Sequence, residues 1–167
     1  ASFSGNPILT IVVQYSPVEG SDEAQEHYEQ LSPAVKEVSK HNLLVVMGDF
    51  NGHLDKNILK YSYHNSCNSN GKLVRNFIQE ADLFVTNGHF QKKSGKMWTY
   101  ISDMSGTKTQ FDYIMVNKKW KNSVHNCEAY NTFSSIGSDR RIITNRKDQA
   151  KRESVPILES LWKEKRL

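Results

Sequence analysis

Short runs of apolar, β-branched residues alternate with polar segments along this chain, and each run stops at a turn-forming residue. The run at 8–13 ends shortly before Pro17, and the run at 43–47 stops at Gly48. Because buried strands consist of such runs bounded by glycine, proline or polar residues, both runs are predicted to be strands. Tyr15 then lies at the end of the first strand.

Two other segments repeat apolar residues at helical spacing. In the first, Ser21 is the predicted N-cap and acidic residues follow it. Its apolar positions are Ala24, Tyr28, Leu31, Val35 and Val38. Pro33 lies inside this pattern, so the sequence leaves open a kinked helix or a second helix that begins there with Ser32 as its cap.

The second helical segment follows Asn70 and Gly71 and presents one apolar face. The inward-facing positions are Leu73, Val74, Phe77, Ile78 and Ala81. Further along, 83–86 predicts a short strand, 97–102 and 110–116 predict a hairpin, and 142–144 predicts a last strand. The pattern therefore favours an α/β (α+β) protein whose strands end in polar residues.

We divide the chain into a domain at 1–144 and a basic C-terminal tail at 145–167. The tail holds seven Lys or Arg against four acidic residues, and beyond Pro156 a narrow apolar stripe predicts a helix. The stripe consists of Ile157, Leu158, Leu161 and Trp162. Such a charge balance adds affinity for a polyanion, although a solvated helix with mixed charges is its more common explanation.

Composition narrows the class of protein. A chain of 167 residues with 37% hydrophobic residues has the size of one domain with a real core. No apolar run approaches the length needed to cross a bilayer, and the first residues lack the features of a secretory leader. Cys67 and Cys127 lie too far apart for a CxxC zinc or redox motif. We therefore expect a nuclear or cytoplasmic protein.

The segment Gly48-Asp49-Phe50-Asn51 is the first candidate for chemistry. Side chains two positions apart at a strand end project the same way, so Asp49 and Asn51 are expected to share one site. A carboxylate can take a proton from an attacking water, and an amide can donate to a phosphoryl oxygen. The alternative is an Asp/Asn turn that closes the strand through side-chain to backbone hydrogen bonds. For this segment alone, both interpretations stand.

Polar residues fall at four predicted strand ends along the chain. They are Tyr15, Asp49 with Asn51, Asp112, and Asp139. In this order they resemble the endonuclease/exonuclease/phosphatase superfamily, and within it the apurinic-like endonuclease domain of RTE-type non-LTR retrotransposons, which includes host-captured copies of the craniofacial-development (Bcnt) type. The resemblance covers about 8–144 and includes Val85-Thr86-Asn87, Trp98-Thr99-Tyr100 and Phe111-Asp112-Tyr113.

The resemblance implies a four-layered α/β sandwich with a magnesium site at one rim, and DNA nicking by in-line attack of water as the ancestral reaction. It implies that Tyr15 contacts the scissile phosphate, that Asp49 orients and deprotonates the water, and that Asn51 binds a phosphoryl oxygen. It also implies that Asp112 and Asp139 support a histidine directly after Asp139, and Asp139 is in addition a candidate metal ligand.

Four further residues are candidates for contact with phosphate or DNA. They are Asn87, which also braces the site, with Thr99, Arg140 and Arg141. Among the six histidines, His53 lies two residues beyond Asn51 and within reach of a metal, and surface or loop roles are the expectation for all six.

Two departures from the family pattern change the expected activity. Arg140 occupies the position of the histidine, and arginine stays charged and only donates hydrogen bonds, so it cannot remove a proton. The family's leading strands, which bring an Asn and the main metal-binding Glu, have no counterpart before Ile8. We therefore expect an N-terminally truncated fold with exposed sheet edges, covered by a homo-oligomer or a protein partner.

The sequence thus supports one hypothesis with two alternatives. The hypothesis is a retrotransposon-derived endonuclease-like domain, ancestrally a magnesium-dependent DNA-nicking phosphodiesterase, in which catalysis is impaired or lost. The first alternative is a non-catalytic module that binds DNA or an acidic partner. The second is a competent nuclease or phosphatase with a relocated metal.

Overall fold

The computed structural model describes residues 7–130 and 141–147 of the chain. These residues form two helices and eight strands, with 3-10 turns at Ser94–Lys96 and Lys118–Ser123. In chain order the helices and strands are β1 (Leu9–Tyr15), α1 (Glu23–Lys36), β2 (Leu43–Asp49), α2 (Ser69–Glu80), β3 (Leu83–Val85), β4 (Tyr100–Ile101), β5 (Lys108–Thr109), β6 (Asp112–Asn117), β7 (Val124–Tyr130) and β8 (Ile142–Lys147).

Four strands form the central sheet in the order β1-β2-β6-β3. β1 and β2 are parallel, and β6 runs antiparallel to both β2 and β3. The C-terminal ends of β1, β2 and β3 therefore meet the N-terminal end of β6 at one edge of the molecule. This edge collects the polar residues that follow each apolar run.

The two helices pack on one face of this sheet. α1 continues through Pro33 as a single helix, which resolves the choice that the sequence left open. At the start of α2, Oδ1 of Asn68 accepts a hydrogen bond of 2.8 Å from the Gly71 amide, as an N-cap does. The core between helices and sheet is apolar and includes Val35, Val46, Val74, Phe77 and Met115.

The second face of the central sheet lies against the antiparallel pair β7 and β8. Met47, Ile114 and Cys127 are buried in this smaller core. Helices, central sheet and β7–β8 make three of the four layers of the expected sandwich within the described residues. The predicted α+β class is confirmed.

The structure differs from the sequence-based prediction in the second half of the chain. The hairpin is β4 with β5, and β6 lies inside the central sheet because its residues are apolar on both faces. β7 was not predicted, since its buried positions, Cys127 and Ala129, are small and sparse. β8 runs to Lys147, three residues past the predicted end of that strand at 144, and the apolar stripe beyond Pro156 lies outside the described residues.

The outer edge of β1 exposes large apolar side chains. Ile8, Val13 and Tyr15 are each 67% exposed, and Leu9 is 42% exposed. Exposed apolar strand edges favour association with another strand. The prediction of an exposed sheet edge agrees with this surface, whereas the partner that would cover it remains a prediction. Neither helix of the described part is long and apolar enough to span a bilayer.

Candidate active site

Three of the predicted site residues lie side by side across the central sheet. Tyr15 pairs with Asp49 between β1 and β2, and Asp49 pairs with Asp112 between β2 and β6. Directly opposed residues project from the same face of a sheet, with Cβ atoms about 4.5–5.5 Å apart in antiparallel pairs. Met47 and Ile114, two positions away, are buried against β7, so the three side chains share the face toward β7 and β8.

We call this edge the strand-end rim and define it by Tyr15, Asp49, Asn51, Asn87 and Asp112. Its members differ in their access to solvent. Tyr15 is 67% exposed, whereas Asp49 is 5% exposed and Asp112 is half-buried. A ligand at the rim therefore reaches Tyr15 and Asp112 more easily than Asp49.

Hydrogen bonds from neighbouring residues hold both the carboxylate and the carbonyl oxygen of Asp49 in place. Its Oδ1 accepts a hydrogen bond of 2.9 Å from the Asn51 amide, and its carbonyl oxygen accepts one of 2.8 Å from Nε2 of Gln14. The Ser16 amide donates to the same carbonyl at 2.9 Å. The carboxylate is consequently held in one orientation at the end of β2.

Gly48 makes this close packing feasible. Its φ is +143°, a conformation that side chains rarely adopt, and a Cβ built there would lie 1.9 Å from the carbonyl oxygen of Gln14. Any other residue would push β2 away from β1 at the position next to Asp49. The glycine of the Gly-Asp-Phe-Asn segment therefore sets the approach of the two parallel strands.

Asn51 lies in the left-handed region, with φ of +45°. Its Nδ2 donates a hydrogen bond of 2.7 Å to the carbonyl oxygen of Ser16. With the bond from its amide to Asp49, this is the side-chain to backbone turn that the sequence offered as an alternative. The second hydrogen on Nδ2 of Asn51 is not used by the turn. Asp49 and Asn51 can therefore form the turn and still belong to a phosphate site.

A buried polar network lies behind Asp49 and Asn51. Oγ of Ser16 is 2.9 Å from Oε1 of Gln14 and 2.6 Å from Oη of Tyr28, and Tyr28 donates to the carbonyl oxygen of Phe50 at 3.3 Å. Burial raises the pKa of Tyr28 far above its usual value, so its hydroxyl remains a donor. These residues were missed at the sequence level, because their role depends on contacts between β1, α1 and β2.

Asp112 is held by two buried side chains from other segments. Oγ1 of Thr99 accepts hydrogen bonds of 3.2 Å from the amides of Phe111 and Asp112. Nδ2 of Asn87 donates to the Asp112 carbonyl at 3.1 Å, and its Oδ1 accepts from the Ile114 amide at 2.8 Å. The Asn87 side chain thus takes the place of the backbone hydrogen bonds that would continue the β3–β6 pairing beyond Val85, and it braces the rim. A contact of Asn87 or Thr99 with phosphate remains a prediction.

Comparison with solved structures identifies the fold. The 3' phosphatase NExo from Neisseria bound to product DNA hairpin superposes with a TM-score of 0.66 at 14% identity, covering 83% of this chain and 60% of that chain. An endonuclease/exonuclease/phosphatase family protein from Leptotrichia buccalis gives a TM-score of 0.57 at 20% identity, covering 84% and 48%. The fold is that of the endonuclease/exonuclease/phosphatase superfamily.

A retrotransposon domain and a curated relative show the same likeness. The endonuclease domain of TRAS1, a telomere-specific non-LTR retrotransposon, gives a TM-score of 0.59 at 11% identity, covering 83% of this chain and 58% of that chain. Craniofacial development protein 2 of Bos taurus is 24% identical over 190 aligned positions, which cover 98% of this chain. The chain spans about a third of that relative's length, 32%. No family model matches the chain.

The endonuclease/exonuclease/phosphatase fold confirms the resemblance that the ordered strand ends predicted. Asp139 and Arg140 lie outside the described residues, so their place relative to the rim remains a prediction. Arg141 is described, and its guanidinium carbon lies 3.0 Å from the centre of the Trp98 ring. Its Nη1 donates to the carbonyl oxygen of Gly95 at 2.5 Å, and its amide donates to that of Thr99 at 2.8 Å.

These contacts tie Arg141 to the segment that holds Asp112. Burial lowers the pKa of its guanidinium. Within the described residues its buried Nε has no hydrogen-bond partner. Phosphate binding by Arg141 stays a prediction, and its observed contacts fasten the start of the described segment 141–147 to Gly95, Trp98 and Thr99.

The carboxylates of the rim fit a magnesium ion in part. Mg²⁺ is usually held by one or two carboxylates together with substrate phosphate and several waters, and Asp49 and Asp112 are two such carboxylates placed opposite each other. The described residues contain no group of three His, Cys, Asp or Glu side chains that would form a complete protein shell. His53, the histidine nearest in sequence, stacks on other rings instead.

Proposed function

We propose that this chain is a DNA-binding, endonuclease-like domain that descends from a magnesium-dependent DNA-nicking phosphodiesterase and has lost most or all of its turnover. The observation that carries the proposal is the alignment of Tyr15, Asp49 and Asp112 across three neighbouring strands. Two ionised carboxylates so placed repel each other, and a cation bound between them would relieve that repulsion.

Each residue of the rim has a role in this proposal. The exposed Tyr15 hydroxyl contacts the scissile phosphate, and the remaining Nδ2 hydrogen of Asn51 donates to a phosphoryl oxygen. Asp49, fixed by its bond from the Asn51 amide, orients the attacking water and accepts its proton. Asp112 completes the rim from β6.

Asp49 and Asp112, with Asp139 as a further candidate, are the residues that would hold Mg²⁺. Bound there, the ion would supply charge neutralisation at the leaving oxygen. The chain's own residues would bind the phosphate, exclude bulk water from the face toward β7 and orient the nucleophile.

Impairment follows from Arg140. In the superfamily pattern a histidine follows the second aspartate, and an imidazole changes protonation near neutral pH. Arginine stays charged and can only donate, so Arg140 can grip a phosphate but cannot accept a proton. Phosphate binding is therefore expected to survive where turnover does not.

The choice of DNA as the ligand is supported by the solved structures that share the fold. The Neisseria phosphatase is bound to a product DNA hairpin, and the TRAS1 domain is the endonuclease of a non-LTR retrotransposon.

The proposal also includes a retrotransposon origin and a nuclear site of action. It further includes a protein partner or a second copy of the chain that covers the β1 edge. Sedimentation of the chain at rising concentration tests the last point, and a monomer at all concentrations would contradict self-association.

Plasmid nicking in the presence of magnesium tests the function. We expect the unmodified chain to bind DNA with strong salt dependence and to nick it little or not at all, and Arg140→His to raise the nicking rate. Asp49→Ala is the active-site control, and Asp103→Ala, a change in an exposed loop, is the matched surface control.

The outcomes separate the three functions. Robust nicking by the unmodified chain, abolished by Asp49→Ala, would refute impairment and favour the competent nuclease. DNA binding without nicking in any variant would favour the non-catalytic module. Absence of both binding and nicking would refute the proposal as a whole.

A further inference from the structure

Cationic side chains gather where the β4–β5 hairpin meets β7 and β8. Lys93 and Lys96 lie in and directly before the 3-10 turn at Ser94–Lys96, and Lys108 begins β5. All three lysines are exposed, and the half-buried Arg141 directly precedes β8. We call Lys93, Lys96, Lys108 and Arg141 the basic patch. Its members come from three segments of the chain, so no run of charge in the sequence predicts it.

The indole ring of Trp98 holds the patch together. Trp98 is buried, and the guanidinium carbon of Arg141 lies 3.0 Å from the centre of its ring. Nζ of Lys108 lies 5.1 Å from the same centre. Arg141 also donates to the carbonyl oxygen of Gly95, which lies between Lys93 and Lys96 in the chain. Because an aromatic ring attracts cations, Trp98 keeps two positive charges close together.

Acidic residues compensate only part of this charge. Glu128 of β7 lies 3.2 Å from Nζ of Lys96 and 3.6 Å from Nζ of Lys92, which is also in this region. Within the part of the chain that the structure describes, no carboxylate forms an ion pair with Lys93, Lys108 or Arg141. Neighbouring like charges repel each other, so a bound anion would stabilise the patch.

Thr99 connects the basic patch to the strand-end rim. It directly follows Trp98, and its Oγ1 accepts a hydrogen bond of 3.2 Å from the Asp112 amide. Its carbonyl oxygen accepts one of 2.8 Å from the Arg141 amide. Successive phosphates of a DNA strand are only about 3.4 Å apart along the axis of a duplex. A strand with one phosphate at the rim therefore carries further phosphates onto the patch when it leaves on this side.

We propose that the basic patch binds the phosphate backbone of the DNA strand that continues from the strand-end rim. This inference rests on the proposed function and adds to it a second contact surface and the side on which the strand leaves the site. Lysine binds phosphate as a point charge, and a guanidinium binds it through paired N–H donors. Because every DNA sequence has the same backbone charge, the patch adds affinity without base preference.

The salt dependence of DNA binding tests the inference. Fluorescence anisotropy of a labelled single-stranded oligonucleotide gives Kd at a series of salt concentrations. The test variant combines Lys93→Gln with Lys108→Gln. Both positions are exposed, and neither side chain forms an ion pair within the described residues, so the fold should tolerate the change. Circular dichroism verifies this.

The matched control combines Lys119→Gln with Lys121→Gln. Both lysines are exposed in the 3-10 turn Lys118–Ser123, which follows the end of β6 opposite to Asp112. Nζ of Lys119 lies 5.8 Å from the centre of the Trp120 ring, much as Lys108 lies over Trp98. The two double variants have the same net charge, so a difference between them reports the position of the lysines.

We expect the patch variant to reduce the slope of log binding constant against log salt concentration by about 2, which is about 1 for each lost phosphate contact. Its Kd at low salt should rise about tenfold. The control should keep the slope and change Kd by no more than about twofold. Lys93→Arg with Lys108→Arg should keep the slope, since it keeps the charge. If the double patch variant fails to fold, Lys93→Gln alone should reduce the slope by about 1.

The failure of this inference differs from the failure of the proposed function. Equal slopes and equal affinities in the patch variant and the control would overturn the inference and leave the proposed function standing. Displacement of the oligonucleotide by polyglutamate as effectively as by unlabelled DNA would also overturn the inference, because the patch would then bind acidic chains in general. Absence of DNA binding by the unmodified chain would overturn both.

Discussion

Asp49 and Asp112 face each other across two strands, yet the protein holds them by different means. Asp49 is 5% exposed and is fixed through a network that reaches into the buried interior at Tyr28. Asp112 is half-buried, and the side chains that hold its backbone, Asn87 and Thr99, come from two separate loops. The Asp49 half is thus tied to one network in the interior, whereas the Asp112 half is assembled from buried side chains of two loops.

The two halves are expected to respond differently to substitution. Changes in the Asp49 half disturb strand pairing and the interior network, so their main effect is a loss of stability. Changes in the Asp112 half also free the strand end that carries Asp112, so they are expected to reduce ligand binding more than changes in the Asp49 half do.

Gly48→Ala should have the largest effect, because its Cβ would meet the Gln14 carbonyl oxygen at 1.9 Å and its φ of +143° is unfavourable for alanine. We expect a loss of about 3 kcal/mol or more in the free energy of unfolding, measured by urea denaturation. Gly95→Ala is the control, since a Cβ there has no atom within 4 Å. Equal stability of both variants would contradict the close approach of β1 and β2.

Tyr28→Phe and Thr99→Val compare the two halves directly. Tyr28→Phe removes the hydroxyl that bonds Ser16 and the Phe50 carbonyl inside the core, at an expected cost of about 1–2 kcal/mol. Thr99→Val leaves the Phe111 and Asp112 amides without their acceptor, which also costs stability, and it frees the strand end that carries Asp112, so it should lower DNA affinity more than Tyr28→Phe does. Denaturation and DNA-binding curves of both variants measure this. A larger loss of DNA affinity in Tyr28→Phe than in Thr99→Val would refute the distinction between the two halves.

The smallest expected effect is a pH dependence of stability. Burial lowers the pKa of His64 to about 4 in the folded chain, against an ordinary value of 6.5. Between pH 4 and pH 6.5 the unfolded chain therefore binds a proton on His64 more readily than the folded chain does. His64 therefore leaves the free energy of unfolding unaffected above about pH 6.5 and lowers it as the pH drops toward 4. His64→Asn should reduce this slope in urea denaturation at stepped pH. An unchanged slope would show that His64 is not the source.

The sequence predicted the parts of the fold that depend on local pattern. β1, α1, β2 and α2 carry patterned apolar residues, and the strand-end positions of Tyr15 and Asp49 followed from where those runs stop, whereas Asp112 was predicted only near the start of a strand at 110–116. β7 escaped prediction because its buried residues are small, and the hairpin was misassigned because β6 is apolar on both faces. Partner choice between strands depends on tertiary packing, which local pattern does not encode.

The same limit applies to the candidate site. Asp49 and Asn51 were found because they are near neighbours in sequence, whereas the stacked rings of His53 and Phe111 lie 58 positions apart in the chain. Gln14, Ser16 and Tyr28 look like ordinary strand-end and helix residues until the strands are paired. Residues that act through contacts between segments need coordinates before they can be recognised.

Binding of DNA phosphate at the strand-end rim can be measured residue by residue in an NMR titration. A short single-stranded oligonucleotide is added to the 15N-labelled chain, and the amide resonances of Asn51, Asp112 and Ile114 are followed. We expect these resonances to shift saturably with one affinity, while those of Lys119 and Lys121 in the distant 3-10 turn stay in place. Shifts confined to that turn, or spread evenly over all basic segments, would contradict it.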